Sequence, residues 1–237
     1  MFDVLDSESF DMVILDIEPV EAEALLKEYC CVGEAYAWPG YDADWAPTRL
    51  SGCDFASPAL LQYPIPTKIL TAFNTEGSPY WQAGQAMRHF VEFGGETEFK
   101  SLDRQLLVQL VERRPGDDVS GPTDWRNLVA CLDAVQATPK IWSTAVTKIL
   151  HRKRPDLVPI NDSRLRAFYG VSNSYAELWG SIHDELQSSA TVELLGRLAA
   201  DRVGLDGRPM TILRTLDIVA WMYMEPARVK TRAQGRR

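Results

Sequence analysis

KIWSTAVTKILHRKRPDLVPINDSRLRAFYG, residues 140–170, is the stretch whose reading decides the fold. Its first part, IWSTAVTKIL, repeats apolar residues at three and four positions, the period of an amphipathic helix and not of a strand. A basic turn, HRKR, runs into Pro155, and proline cannot continue a helix. An extended LVPI follows, and Asp162 then stands where an N-cap would open a second helix, SRLRAFY, stopped by Gly170. The stretch therefore predicts helix, turn and helix.

Outward from it the same period dominates, and the chain is expected to be all-α, a compact multi-helix domain of about nine helices. A first helix is predicted after Pro19, carrying Ala22, Leu25, Leu26 and Tyr29 on its apolar face, with Glu21 and Glu23 near its start. SFDMVILDI, before it, alternates weakly and suggests a short N-terminal strand or arm. Residues 32–53 make a long aromatic loop, WPGYDADWAP at its centre. Asp54 is placed to cap FASPALLQ, Pro66 to start a helix through Ile69, Leu70 and Phe73, and Ser78 with Pro79 to start YWQAGQAMRHFVEF, which stops at Gly94 and Gly95. LDRQLLVQLVERR follows, and RPGDDVSGPT is the best internal break before a helix beginning near Asp124. SYAELWGSIHDEL, TVELLGRLAADRV and PMTILRTLDIVAWMYM complete the series. The expected organisation is an arm, helix and aromatic loop over residues 1–53, a helical core over 54–225 and a basic, flexible tail over 226–237.

With 46% hydrophobic and 24% charged residues the chain has the composition of a folded domain, and an ordered chain is expected. No apolar run is long enough for a bilayer span, and the acidic start lacks the basic flank of a secretory signal, so a cytoplasmic protein without membrane association is expected. Cys30, Cys31, Cys53 and Cys131 show no CxxC spacing, which argues for reduced thiols. His89, His151 and His183 lie far apart in sequence, and no metal or other cofactor is expected. Phosphate loops of the GxxxxGK(S/T) type, GxGxxG after a strand, GxSxG and HExxH are all missing.

The net charge of −8 divides unevenly, with 17 acids against 5 Lys and Arg in residues 1–100 and 16 against 20 in residues 101–237. Within the second part, Lys140, Lys148, Arg152, Lys153, Arg154, Arg164 and Arg166 face only Asp156 and Asp162 over residues 137–170. A local excess of that kind suits phosphates, whereas the acidic first part repels a duplex.

On these residues the chain resembles the helix-hairpin-helix DNA glycosylase superfamily, in which a helical hairpin grips the DNA backbone and a catalytic aspartate heads the following helix. VPINDSRLR (158–166) occupies the place of that superfamily's aspartate pattern, so the resemblance implies Asp162 as catalytic carboxylate. Ser143 falls near the position where bifunctional members carry a lysine nucleophile, which implies monofunctional base excision. Where the hairpin of that superfamily reads L-P-G-V-G, this chain has AVQATPKIW (134–142), without glycine. A wider resemblance rests on DFASPALL (54–61), VTKILHRKRPDLVPINDS (146–163) and ILRTLDIVAWMYM (212–224), and points to a family of uncharacterised, mainly actinobacterial proteins with a domain of unknown function.

Each candidate has a functional and a structural reading. Asp162 is a carboxylate for the charge that develops on a sugar as its base leaves, or an N-cap that contributes about 1 kcal/mol. Lys148, Arg152, Lys153, Arg154, Arg164 and Arg166 bind nucleic acid, or the HRKR turn merely places favourable charge at a helix C-terminus. His151 is a base or pH switch, or a hydrogen-bonded structural residue. Trp38, Tyr41 and Trp45 line a pocket for a base or ligand, or pin the loop to the helices. Ile212, Leu213, Leu216, Val219, Ala220 and Tyr223 read as core, and Asp217 within that helix as the ion-pair partner of Arg214. The leading expectation is a nucleic-acid-binding protein, with DNA as partner and base excision at Asp162. The alternative is a non-catalytic helical module that binds a protein or a small molecule.

Overall fold

The structure is a computed structural model that describes residues 17–31, 71–93, 95–138, 143–172, 175–200, 202 and 209–235. Among these residues there are ten α-helices with both ends described and one 3-10 helix, and residues 71–73 are helical as well; all pack around one apolar core. In chain order they are α1 (Pro19–Cys31), α2 (Trp81–Phe93), a 3-10 turn (Phe99–Ser101), α3 (Arg104–Glu112), α4 (Thr123–Gln136), α5 (Ser143–Lys153), α6 (Ser163–Tyr169), α7 (Tyr175–Glu185), α8 (Ser189–Ala200), α9 (Ile212–Tyr223) and α10 (Pro226–Gly235). The protein is all-α, as the period implied. Of the N-terminal strand only Ile17 lies within the described residues, and it is an isolated bridge position.

Helix α9 organises the packing, since α1, α6 and α8 all lie against it. Its expected apolar stripe is only part of what it buries: Thr215, Ile218 and Met222 are buried on its other sides, while Ile212 and Tyr223 are half-buried. A helix enclosed nearly all round belongs to the interior of the domain. In α3, Leu106, Leu107 and Leu110 face inward and Val108 faces outward. The periodic face of α1 is buried as expected, through Ala22, Leu25, Leu26 and Tyr29.

Caps account for where several helices begin and end. Asp103 and Thr211 accept backbone N–H groups of Gln105 and Arg214 at the starts of α3 and α9. Helix α2 begins at Trp81, three residues after Ser78, because residues 78–80 form a turn in which the Trp81 N–H donates to the Ser78 carbonyl. It crosses residues 71–73 so closely that a Cβ on Gly84 would lie 2.2 Å from the Phe73 carbonyl oxygen, and only glycine fits there. Residues 226–235, expected as a flexible tail, form α10. Arg228 pairs with Glu28 and Arg232 with Glu21, both on α1.

Candidate functional site

The segment from α5 to α6 is built as its sequence implies. Helix α5 ends at Lys153 because Arg154 precedes Pro155, and the residue before proline disfavours helical dihedrals. The turn that follows is tied down through its own backbone. The Pro155 carbonyl accepts from Thr211 Oγ1, the Asp156 carbonyl from the Phe99 N–H, and the Val158 carbonyl from His151 Nδ1 at 2.6 Å. The Asn161 N–H donates back to Thr147 Oγ1 on α5. Leu157, Val158 and Ile160 are buried, so LVPI lies inside the domain. Helix α6 stops at Gly170, whose φ of 65° is left-handed, and the Val171 N–H reaches back to the Arg166 carbonyl.

Asp162 occupies the head of α6, where the resemblance places it, and is 3% exposed. Its Oδ1 accepts the Arg164 N–H at 2.9 Å, the N-cap bond. Its Oδ2 lies 3.2 Å from Lys148 Nζ on α5. One carboxylate thus joins the two helices, one oxygen to each. A group that stabilises developing positive charge has to face the substrate, and both Asp162 oxygens face protein.

The basic residues of the segment divide into two sets. Arg152 and Lys153 are 2% and 0% exposed and engaged within the protein. Arg154 turns to the buried Asp124 carboxylate, 3.5 Å away, and its guanidinium lies over the Phe90 ring. Asp124 also accepts the Thr97 N–H at 2.9 Å, so the basic turn is moored to α4 and to the loop before the 3-10 turn. The second set is Arg164 and Arg166 on α6, both half-buried. Arg166 donates to Asn161 Oδ1 at 2.7 Å, and Arg164 stacks over Trp221 of α9 at 3.9 Å.

Beneath these lies a buried polar cluster. Arg214 and Asp217 pair within α9, as their spacing implied, and Arg214 also donates to the Tyr29 hydroxyl on α1 at 2.7 Å. Burial pushes the Asp217 carboxyl up to about 6; Arg214 and Lys148 oppose the rise, and the Asp162 charge adds to it. His151 donates through Nδ1 to Val158, while its buried Nε2 has no hydrogen-bond partner. Burial and the nearby Arg214 charge bring its imidazole down to about 3, so it stays neutral. The neutral, hydrogen-bonded ring fits the structural reading of His151. Tyr169 is half-buried with its hydroxyl enclosed, and that hydroxyl is pushed upward by burial and by the Glu185 and Asp217 carboxylates.

Ser143 is the first residue of α5, and its side chain lies outside the described residues, as do Trp38, Tyr41 and Trp45. Sequence reasoning missed the ring partners of the basic residues. Besides Arg164 over Trp221, Arg232 of α10 lies 3.6 Å over Tyr223, and Phe168 meets Tyr223 edge to face. Arg164, Arg166, Phe168 and Tyr169 in α6 and Trp221 and Tyr223 at the end of α9 stand close together in the sequence, but their spacing does not say which ring meets which guanidinium. Among the described residues no three His, Cys, Asp or Glu side chains converge as a metal site requires, and no helix is long and apolar enough to cross a membrane.

Neither the curated proteins nor the solved structures contain a match to this chain. A family defined from sequence does match, over residues 99–224, which takes in the second and third of the three quoted blocks and leaves the first, residues 54–61, outside. The matched region runs from the 3-10 turn through α9, the part of the fold that holds the moored turn, Asp162 and the Arg214–Asp217 pair, and by it the chain belongs to DUF6308, a family of unknown function.

Proposed function

We propose that the chain is a nucleic-acid-binding helical module, with DNA as its partner, in which Asp162 holds the binding element together and does not excise bases. The observation that carries this reading is the geometry of Asp162. One oxygen caps α6, the other pairs with Lys148, and the helix held in this way carries Arg164 and Arg166, both half-exposed and on different sides of it. Phosphate contacts fix a protein on nucleic acid without requiring catalysis, and arginine is well suited to them because its planar fork meets phosphate oxygens in pairs. The resemblance of the two helices supports the same partner, and of the basic residues over 137–170 it is Arg164 and Arg166 that remain half-exposed to meet it.

A second reading, a module that binds a protein or small molecule, is favoured by one observation. Arg152 and Lys153 are turned inward, which takes two cations from the surface of a chain whose net charge is −8. The two readings separate in a titration of the purified protein against a fluorescent duplex and each of its single strands at several salt concentrations. Binding to either form that weakens steeply with salt is expected, since each phosphate contact releases a counterion. No binding to any of them at low salt overturns the proposal and leaves the partner reading. Incubation with duplexes carrying damaged bases tests the catalytic point. The wild-type protein and Asp162→Asn are both expected to leave the strands intact, and excision by the wild type that Asp162→Asn abolishes would restore Asp162 as a catalytic carboxylate.

A further inference from the structure

We propose that the face formed by α6, the end of α9 and α10 is a binding surface for single-stranded DNA, with stacked arginines for its phosphates and half-exposed rings for its bases. This inference rests on the nucleic-acid reading and deepens it by moving the contact surface away from the HRKR turn. Arg164 and Phe168 lie one turn apart on α6 and so share a side of that helix. Arg164 lies over Trp221, Phe168 meets the Tyr223 ring at 5.8 Å and 83°, and Arg232 lies over Tyr223. The result is two arginine–ring stacks, with Phe168 against the ring of the second, every member half-buried.

Three physical points turn those stacks toward a single strand. A guanidinium held against a ring is already oriented, so phosphate is met without a new conformational cost; Arg232, which donates to the Tyr223 carbonyl and pairs with Glu21, meets it by exchanging that partly exposed pair. Arg164 Nη1 is itself buried and has no acceptor within the protein. Aromatic faces favour bases that are not already stacked in a duplex, and they do so with little regard to sequence.

Charge agrees with the geometry. Residues 161–172 and 221–235 together hold five Lys and Arg against Asp162 and Glu225. Two of those cations, Arg228 and Arg232, are paired with Glu28 and Glu21 in partly exposed ion pairs. Such pairs contribute little and exchange readily for another anion. In the HRKR turn, by contrast, the cations are committed inward, since Arg152 and Lys153 are buried and Arg154 is moored to Asp124.

The test is fluorescence anisotropy of a labelled oligothymidylate of about 20 nucleotides, a length that exceeds common single-strand site sizes. A duplex of equal length serves as competitor, and the full chain is compared with Arg164→Gln/Arg232→Gln, Trp221→Phe and, as a control elsewhere, the exposed Arg126→Gln. Wild type is expected to prefer the single strand. The double variant should bind at least about tenfold more weakly, with a salt slope shallower by about two phosphate contacts. Trp221→Phe should weaken binding severalfold and Arg126→Gln leave it unchanged. Arg164→Lys keeps the charge and loses the planar fork, so an intermediate loss is expected, and it gives the same readout should the double variant fold poorly by circular dichroism. Oligothymidylate binding that neither Arg164→Lys nor Trp221→Phe disturbs overturns this surface while the nucleic-acid reading stands. Preference for the duplex overturns the single-strand assignment. Absence of binding to both DNAs overturns the nucleic-acid reading itself.

Discussion

The basic runs at residues 152–154 and 228–232 look alike in the sequence and come to rest in opposite environments. The first closes α5 and is drawn inward, with Lys153 fully buried and Arg154 facing Asp124. The second lies along α10, with Lys230 exposed and Arg228 and Arg232 in partly exposed pairs with α1. Charge did not decide between these outcomes. What distinguishes the first run is its attachment, because Ile149, Leu150, Leu157 and Val158 on either side are all buried and the turn between them cannot leave the interior. Helix α10 has one apolar residue beyond its alanines, Val229, and that side chain is exposed. Where flanking residues must be buried, a cation follows them and has to find a partner, and where they need not be, it remains at the surface.

The largest expected effect tests the buried half of that contrast. Asp124→Ala leaves Arg154 without its carboxylate and the Thr97 N–H without its acceptor. Removing one member of a buried pair typically destabilises by about 3–5 kcal/mol. Urea denaturation of the variant should show a loss of that order; a change below about 1 kcal/mol would place the turn with the surface pairs and remove the contrast.

Acid sharpens the comparison further, because the buried region holds two displaced groups that act in opposite directions. His151 is lowered from 6.5 to about 3, so the unfolded chain takes its proton first, and stability present above pH 6.5 is lost as the pH falls toward 3. Asp217 is raised from 3.8 to about 6, so the folded chain takes its proton first, and stability present below pH 4 is lost as the pH rises through 6. Between pH 6 and pH 4 the two nearly cancel, each contributing up to about 1.4 kcal/mol per pH unit. The single variants are therefore expected to diverge in urea midpoints measured over that window. As the pH falls, His151→Gln should gain stability relative to wild type and Asp217→Asn should lose it. Curves for the two variants that run parallel would show that neither group titrates as its burial implies.

Much of this was legible in the sequence, and the reason is locality. The α1 face, the Asp162 cap and the Arg214–Asp217 pair depend on residues two to four apart, a distance over which helix geometry fixes who meets whom. The inward course of residues 152–154 was not legible in this way. It depends on Asp124, twenty-eight or more positions earlier, and on a turn moored by Thr211 and Phe99 from two other parts of the chain. Trp221 and Tyr223 were hidden for a related reason. Their guanidinium partners come from α6 and α10, and no period within α9 reveals them. The helix over residues 226–235 was hidden in composition, since it packs through charge and through Tyr223, not through an apolar stripe.

The smallest expected effect lies on α10. Arg228→Ala removes one ion pair with Glu28 in which both side chains remain partly exposed. In high dielectric the Coulomb gain of such a pair is small and is offset by the entropy of holding two long side chains together, so a loss of about 0–1 kcal/mol is expected, shrinking as salt is added. The same variant should leave the overall unfolding midpoint almost unchanged while speeding hydrogen exchange in α10, whose attachment to α1 depends on few groups. A loss beyond about 2 kcal/mol that persists in high salt would mean that α10 is held as firmly as the buried turn. The two basic runs would then differ in where they lie but not in how strongly the fold depends on them.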